Sequence, residues 1–202
     1  MKRGVIIFQK NAQKGKVKTR LAAGVGEDQA LEIYKNLVII THHQISKVNC
    51  EKLLYFTEFV DDSDFNESDS YHFLIQSEGD LGKRMASAFQ EQFQLGFDKL
   101  LIIGTDCPEL SSEILEEAFA RLDKDEVVIG PANDGGYYLL GMKTFIPGLF
   151  QKIPWSSDQV LSLSKKVLDF HNISYSLLPT LIDVDTLEDW DLVKNKVLAT
   201  LE

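Results

Sequence analysis

The sequence predicts a three-layer α/β/α sandwich built around a mostly parallel, mixed sheet, and three observations support this. Short apolar runs without alternation recur along the chain, the strongest being Leu100-Leu101-Ile102-Ile103, as expected of strands covered on both faces. Stretches with a helical stripe of apolar residues separate these runs. No solenoid-length repeat, low-complexity tract or heptad pattern interrupts the alternation of strand and helix.

Residues 5–8 (Val-Ile-Ile-Phe) form the first strand, followed by a loop rich in Gly and Lys. Residues 27–40 then place Ala30, Ile33, Leu37 and Ile40 on one helical stripe. Residues 53–56 are the second strand, and the polar stretch 61–70 after it has too little apolar content to need a core, so it is expected to be an exposed loop. Residues 71–76 make another short strand, and residues 81–93 a helix with Met85, Ala88 and Phe89 facing inward. After the central strand at 100–103, Ser111 or Ser112 caps a helix running to Leu122, with Glu113 and Glu116 near its positive end. Residues 127–129 form a further strand, ended by Gly130-Pro131 and the turn Asn133-Asp134-Gly135-Gly136, and residues 137–142 return as a strand. Residues 160–170 have helical spacing, 174–178 suggest a last edge strand, and 187–198 a terminal helix. The irregular stretch 131–158 is expected to form a smaller lobe facing a substrate.

At 202 residues one core suffices, so a single domain over the whole chain is the expectation. The net charge of −10, from 31 Asp and Glu against 21 Lys and Arg, disfavours nucleic acid and anionic membranes as partners and makes the basic cluster near the N-terminus a local exception. Cys50 and Cys107 are too few for a disulfide scaffold and are read as reduced thiols. The first apolar run is too short for a secretory leader, and no stretch approaches the roughly 18 apolar residues of a membrane span, so a cytoplasmic location is expected. The histidines lack the spacing of a structural zinc site. Oligomeric state is not legible.

Three clusters carry chemistry. The loop Lys14-Gly15-Lys16-Val17-Lys18-Thr19-Arg20 can turn backbone donors and cations toward phosphates, with Gly15, Lys16, Lys18 and Arg20 as the candidate nucleotide-binding residues. It has neither the P-loop spacing nor the dinucleotide-binding glycine pattern, and it reads equally as a solvated basic loop. Asp106 follows the central strand and the small residues Gly104 and Thr105, which sets it at the sheet edge where open α/β folds gather ligands; a turn carboxylate near Ser111 is the plainer alternative. Asp183 and Asp185 are read as facing opposite ways, so that Asp185 alone enters the site, unless it or Thr186 merely caps the last helix. Two such carboxylates suit Mg²⁺ or Mn²⁺ completed by water and a substrate phosphate, with Asp106 and Asp185 as the metal ligands. Asp134, Gly135, Gly136 and Tyr137 can shape an acceptor pocket, or simply make a hairpin turn. Trp155 can stack on an acceptor ring or plug the core. Cys107, beside Asp106, has no partner suggesting a nucleophile.

Taken together, Gly15-Lys16-Val17-Lys18-Thr19-Arg20-Leu21, Gly104-Thr105-Asp106-Cys107-Pro108-Glu109-Leu110, the run from Gly130 to Tyr138 and Asp183-Val184-Asp185-Thr186 resemble the bacterial selenodomain-associated transferase family 1, over nearly the full chain. The resemblance implies a GT-A-like, nucleotide-diphospho-sugar transferase fold. In that wider superfamily the first loop contacts nucleotide phosphates, and acids matching Asp106 and Asp185 hold the metal. The loop lacks the Gly-Gly-x-Ser/Ala-x-Arg-Met form common in nucleotidyltransferases. The expected activity is therefore metal-dependent glycosyl transfer from a nucleotide sugar to a small-molecule acceptor, with Asp106 and Asp134 as the catalytic carboxylates, Asp134 being read as general base from its Gly-rich setting. The alternatives are nucleotidyl transfer from an NTP to a phosphorylated small molecule, or a noncatalytic nucleotide-binding protein.

Overall fold

In the computed structural model, which describes residues 1–63, 65 and 70–201, seven strands lie in one sheet. They are β1 (Arg3–Gln9), β2 (Glu51–Phe56), β3 (Tyr71–Ile75), β4 (Lys99–Ile103), β5 (Val127–Pro131), β6 (Tyr137–Met142) and β7 (Tyr175–Leu177), in the spatial order β3-β2-β1-β4-β6-β5-β7. Every pairing is parallel except the two made by β6, which runs backwards between β4 and β5. The mixed, mostly parallel sheet predicted from the apolar runs is therefore present.

Helices α1 (Thr19–Val25), α2 (Glu27–Ser46), α3 (Leu81–Gln94), α4 (Ser112–Arg121), α5 (Val160–Phe170) and α6 (Leu187–Leu201) supply the outer layers. Side chains alternate across each strand, so Val5, Ile7, Leu101 and Ile103 join Ile45, Leu115 and Phe119 on one face. Ile6, Leu100, Ile102 and Ile129 join Met85, Phe89 and Leu168 on the other. Burial on both faces is why these strands read as unbroken apolar runs. A third cluster, Leu21, Ile33, Leu37, Val184, Trp190 and Val193, ties α1 and α6 to α2.

Helix starts follow local chemistry. Asp80 accepts a hydrogen bond from the Lys83 amide at 2.8 Å, and Ser111, rather than Ser112, caps α4 through the Ile114 amide. Gly26 separates α1 from α2 at a positive φ of 87°, a conformation that a side chain would oppose.

Two expectations need correction. Thr19 and Arg20 are not loop residues: they open α1, whose seven residues are too short to show a periodic stripe. Residues 131–158 do not make a separate lobe, because they include β6, an interior strand of the sheet, and the short 3-10 helix Pro147–Phe150 packed on α3 through a tilted contact of Phe150 with Phe89. The expected loop 61–70 falls partly outside the described residues; within it Phe65 is half-buried against His42, Tyr71 and Phe73.

Candidate functional site

The C-terminal ends of β1 and β4 open into a cleft with two compartments. The inner one, about 330 Å³, lies over β1, β2 and α3; the outer one, about 480 Å³, lies beside α1 and the start of β6. Lys10, Asp106, Tyr137 and Asp183 line both. This edge collects ligands in open α/β sheets because the strands end there and the following loops diverge.

Charge is concentrated in the outer compartment. Lys18, the residue before α1, is buried and sits in the left-handed region at φ 50°, a conformation disfavoured for a residue with a Cβ. That backbone turn sends its ammonium inward, where it donates to the Val184 carbonyl at 2.5 Å and lies 2.7 Å from Asp106 Oδ1. Asp106 Oδ1 has this charge partner but no aligned hydrogen bond. Arg20, on the first turn of α1, pairs with Asp185 at 2.7 Å. The alternative roles for these acids are thereby assigned elsewhere: Ser111 caps α4, and Thr186 with Asp189 forms a reciprocal cap at α6, the Thr186 amide reaching Asp189 Oδ2 at 2.9 Å and the Asp189 amide reaching Thr186 Oγ1 at 3.3 Å.

Asp183 enters the site as well. It lines both compartments while Asp185 lines the outer one, so the expectation that the pair faces opposite ways was mistaken; in an extended segment residues two apart share a face. Burial, and then the negative charge of Asp106, push the Asp183 carboxyl well above the usual carboxylate range, with Lys18 acting in the other direction. Asp106, Asp183 and Asp185 are hard oxygen donors of the kind Mg²⁺ and Mn²⁺ take. Among the described residues no three His, Cys, Asp or Glu side chains converge to form a complete protein-made metal sphere.

The turn at Asn133–Gly136 forms the far wall. Asp134 Oδ1 accepts the Gly136 amide at 2.8 Å, and Gly135, at φ 88°, lies so close to residue 158 that a Cβ would meet the Asp158 carbonyl oxygen at 2.3 Å. Trp155 packs as a core plug would, stacking on Phe150 and meeting Tyr137 edge-on, and it also lines the cleft. Its indole covers Gly82 of α3 so tightly that a Cβ there would meet Nε1 at 2.0 Å. The Tyr137 hydroxyl is buried without a hydrogen-bond partner. Burial raises the Cys107 thiol well above its ordinary value, in keeping with a packing role.

The structure thus brings Lys18, Arg20, Asp106, Asp134, Gly136, Tyr137, Trp155 and Asp185 to one cleft. It does not bring Gly15 and Lys16 there: Lys16 pairs with Glu58 at 3.2 Å and Gly15 faces Glu27, both outside the lining. Sequence reading missed Gln9, Lys10, Tyr34, Gln76 and Arg84. The Tyr34 hydroxyl clamps the start of the first loop, donating to the Lys10 carbonyl at 2.8 Å and accepting its amide at 2.9 Å. The Arg84 guanidinium donates to Gln76 Oε1 at 3.0 Å. The one available signal was Gly79-Asp80-Leu81-Gly82, a tight turn and capped helix start just before Arg84.

Comparison with solved structures places this fold. The chain is similar to the "putative nucleotide-diphospho-sugar transferase" of Desulfovibrio desulfuricans G20, with 29% identity and a TM-score of 0.88 over 97% of this chain and 88% of that one. The inositol-1-phosphate CTP transferase of T. maritima shares the fold at 14% identity and a TM-score of 0.62, covering 98% of this chain and 95% of that one. So does the 4-diphosphocytidyl-2C-methyl-D-erythritol synthase of Anaerococcus prevotii DSM 20548, at 12% identity and a TM-score of 0.62, covering 98% and 96%. No curated protein sequence matches the chain. The fold is that of the nucleotide-diphospho-sugar transferase superfamily, as the resemblance implied, and a family model described as "Uncharacterized protein conserved in bacteria (DUF2064)" matches residues 40–157, more than half of the chain, which therefore belongs to that family.

Proposed function

We propose that the protein is a nucleotide-dependent transferase that moves a glycosyl group from a nucleotide sugar to a small-molecule acceptor. The observation that carries this reading is the outer compartment, where Lys18 pairs with Asp106 and Arg20 with Asp185, with Asp183 alongside, next to an inner compartment of about 330 Å³. The similarity to the Desulfovibrio protein supports the nucleotide-sugar donor.

Within the site, Lys18 pairs with Asp106 and Arg20 with Asp185. With a diphosphate and a divalent metal, the cations would serve the phosphate oxygens and the carboxylates would hold the metal. Asp106 with Asp183 or Asp185 would hold Mg²⁺ or Mn²⁺, whose contribution is to stabilise charge on the departing diphosphate. Lys18 and Arg20 would steady the same phosphates. The acceptor hydroxyl attacks the anomeric carbon, the bond from that carbon to the phosphate oxygen breaks, and the nucleoside diphosphate leaves. Asp134, which lines the outer compartment, would take the hydroxyl proton.

The test is ³¹P NMR of the protein with Mn²⁺ and either nucleotide sugars or NTPs, against a panel of acceptors. Nucleoside diphosphate release from a nucleotide sugar is expected. Pyrophosphate release from an NTP would replace this reading with nucleotidyl transfer, and nucleotide binding without turnover would replace it with a binding protein. In calorimetry with nucleotide present, Asp106→Asn should weaken Mn²⁺ binding at least about tenfold; unchanged binding removes Asp106 from the metal site.

A further inference from the structure

The carboxylates Asp183 and Asp185 ride on a segment, residues 182–186, that belongs to no helix or strand. Each of its five backbone amides nevertheless has an acceptor. Ile182 donates to Glu109 Oε2 at 3.3 Å, Asp183 to Asn133 Oδ1 at 3.1 Å and Val184 to the Asp106 carbonyl at 3.0 Å. Asp185 and Thr186 both donate to Asp189 Oδ2, at 3.2 and 2.9 Å. Four of the five bonds therefore end on side chains, where a strand or helix would supply carbonyls.

The amides of the two site carboxylates go to Asn133 and Asp189, and those residues bond each other: Asn133 Nδ2 donates to Asp189 Oδ1 at 3.2 Å. Both lie outside the lining of the cleft. The two bonds of Asn133 fix its amide orientation, because a backbone N–H needs an oxygen and a carboxylate needs a donor. Asn133 also opens the turn whose Asp134 lines the outer compartment. Its backbone amide donates to the Leu181 carbonyl at 3.0 Å, next to the parallel bridge between Ala132 and Leu181. The Asn133 side chain thus carries the contact between turn and segment on to Asp183. A helix cap needs only the exchange between Thr186 and Asp189; the bonds from the Asp185 amide and from Asn133 are beyond it.

We propose that Asn133 and Asp189 are positioning residues, a polar pair outside the cleft that holds Asp183 and Asp185 toward the outer compartment in register with the turn at Asn133–Gly136. This rests on these carboxylates serving the metal. Exchanging the two side chains preserves the bonding. In the double variant Asn133→Asp with Asp189→Asn, the carboxylate accepts the Asp183 amide, the new amide oxygen accepts those of residues 185 and 186, and one N–H to O bond still joins the pair. Its net charge is unchanged. Either change alone sets like groups against each other, carboxylate on carboxylate in Asn133→Asp and NH₂ on NH₂ in Asp189→Asn.

The test is EPR titration of Mn²⁺ into the full chain, alone and with GDP or UDP, read against protein-free controls. Amide hydrogen exchange at residues 183, 185 and 186 is followed in the metal-free protein. Each single variant should lose protection at those amides and bind Mn²⁺ about tenfold more weakly, as loss of a group that orients a metal ligand does. The double variant should regain both. Asn133→Asp is the stricter case, because its added negative charge would by itself tighten Mn²⁺ binding. Single variants that bind Mn²⁺ as the unaltered protein does, whatever their amide exchange, or a double variant as weak as the single ones, overturn the positioning role and leave the metal site standing. Absence of Mn²⁺ binding in the unaltered protein, with and without nucleotide, takes down the metal site and the positioning role with it.

Discussion

Lys18→Met removes the ammonium from the centre of the cleft and leaves a side chain of similar length. The Lys18 side chain is 5% exposed and that of Asp106 36%, so this ion pair is buried on one side and wetted on the other. Removing one partner of a fully buried pair costs about 3–5 kcal/mol; with Asp106 over a third exposed, about 2 kcal/mol is the better figure. The buried Val184 carbonyl also loses its donor, adding about 1 kcal/mol. The left-handed backbone is strained equally by Lys and Met, so it drops out of the comparison. At about 2–4 °C per kcal/mol for a chain of this size, a loss of about 3 kcal/mol lowers the melting temperature by about 6–12 °C. The ammonium occupies the side of Asp106 that a cation would use, so Mn²⁺ should raise the melting temperature of Lys18→Met more than that of the unaltered protein. Differential scanning calorimetry with EDTA and then with Mn²⁺ reads both effects. A drop of less than about 1 kcal/mol refutes the buried ion pair, and failure of Mn²⁺ to restore the variant refutes the competition between Lys18 and metal.

Asp183 gives a pH prediction. Its pKa is raised in the folded protein, so the unfolded chain ionises first, and the metal-free protein should lose stability as pH climbs from the ordinary carboxylate range to the raised value, then level off. Asp183→Asn should flatten that decline in urea titrations at several pH values; an undiminished slope would show that another group is responsible. Gly82→Ala should cost about 1–3 kcal/mol, because its Cβ cannot coexist with the Trp155 indole, and should shift the indole fluorescence; a neutral variant with an unchanged spectrum would mean that Trp155 does not rest on α3.

Much of this was visible in the sequence. Residues 100–103 are buried on both faces, and an unbroken apolar run is the direct imprint of that; α5 begins and ends where its helical stripe does. Asp106 could be placed at the sheet edge because a strand that strong has an obvious end. What was hidden depends on contacts between distant segments. Gln9, Gln76 and Arg84 are ordinary polar residues until β1, β2 and α3 are set side by side, since sequence spacing carries no trace of sheet order. The basic loop looked uniform, yet Lys18 and Arg20 reach the cleft, while Lys14 and Lys16 pair with Asp28 and Glu58 outside it. Asp183 was set aside by a mistaken facing rule, not by any missing signal.

The reversed strand has a further consequence. Because β6 runs against its neighbours, the turn that precedes it opens at the same sheet edge as the ends of β1 and β4, and the wall facing an acceptor is assembled from residues 132–137 and 155–160. The inner compartment is lined by residues 8–10, 34, 57, 76, 81, 84, 85 and 102–107, together with Tyr137, Tyr138, Ser156 and Asp183. Tyr137, at the end of that turn, lines both compartments, so a change in the turn reaches the outer compartment directly and the inner one through Tyr137.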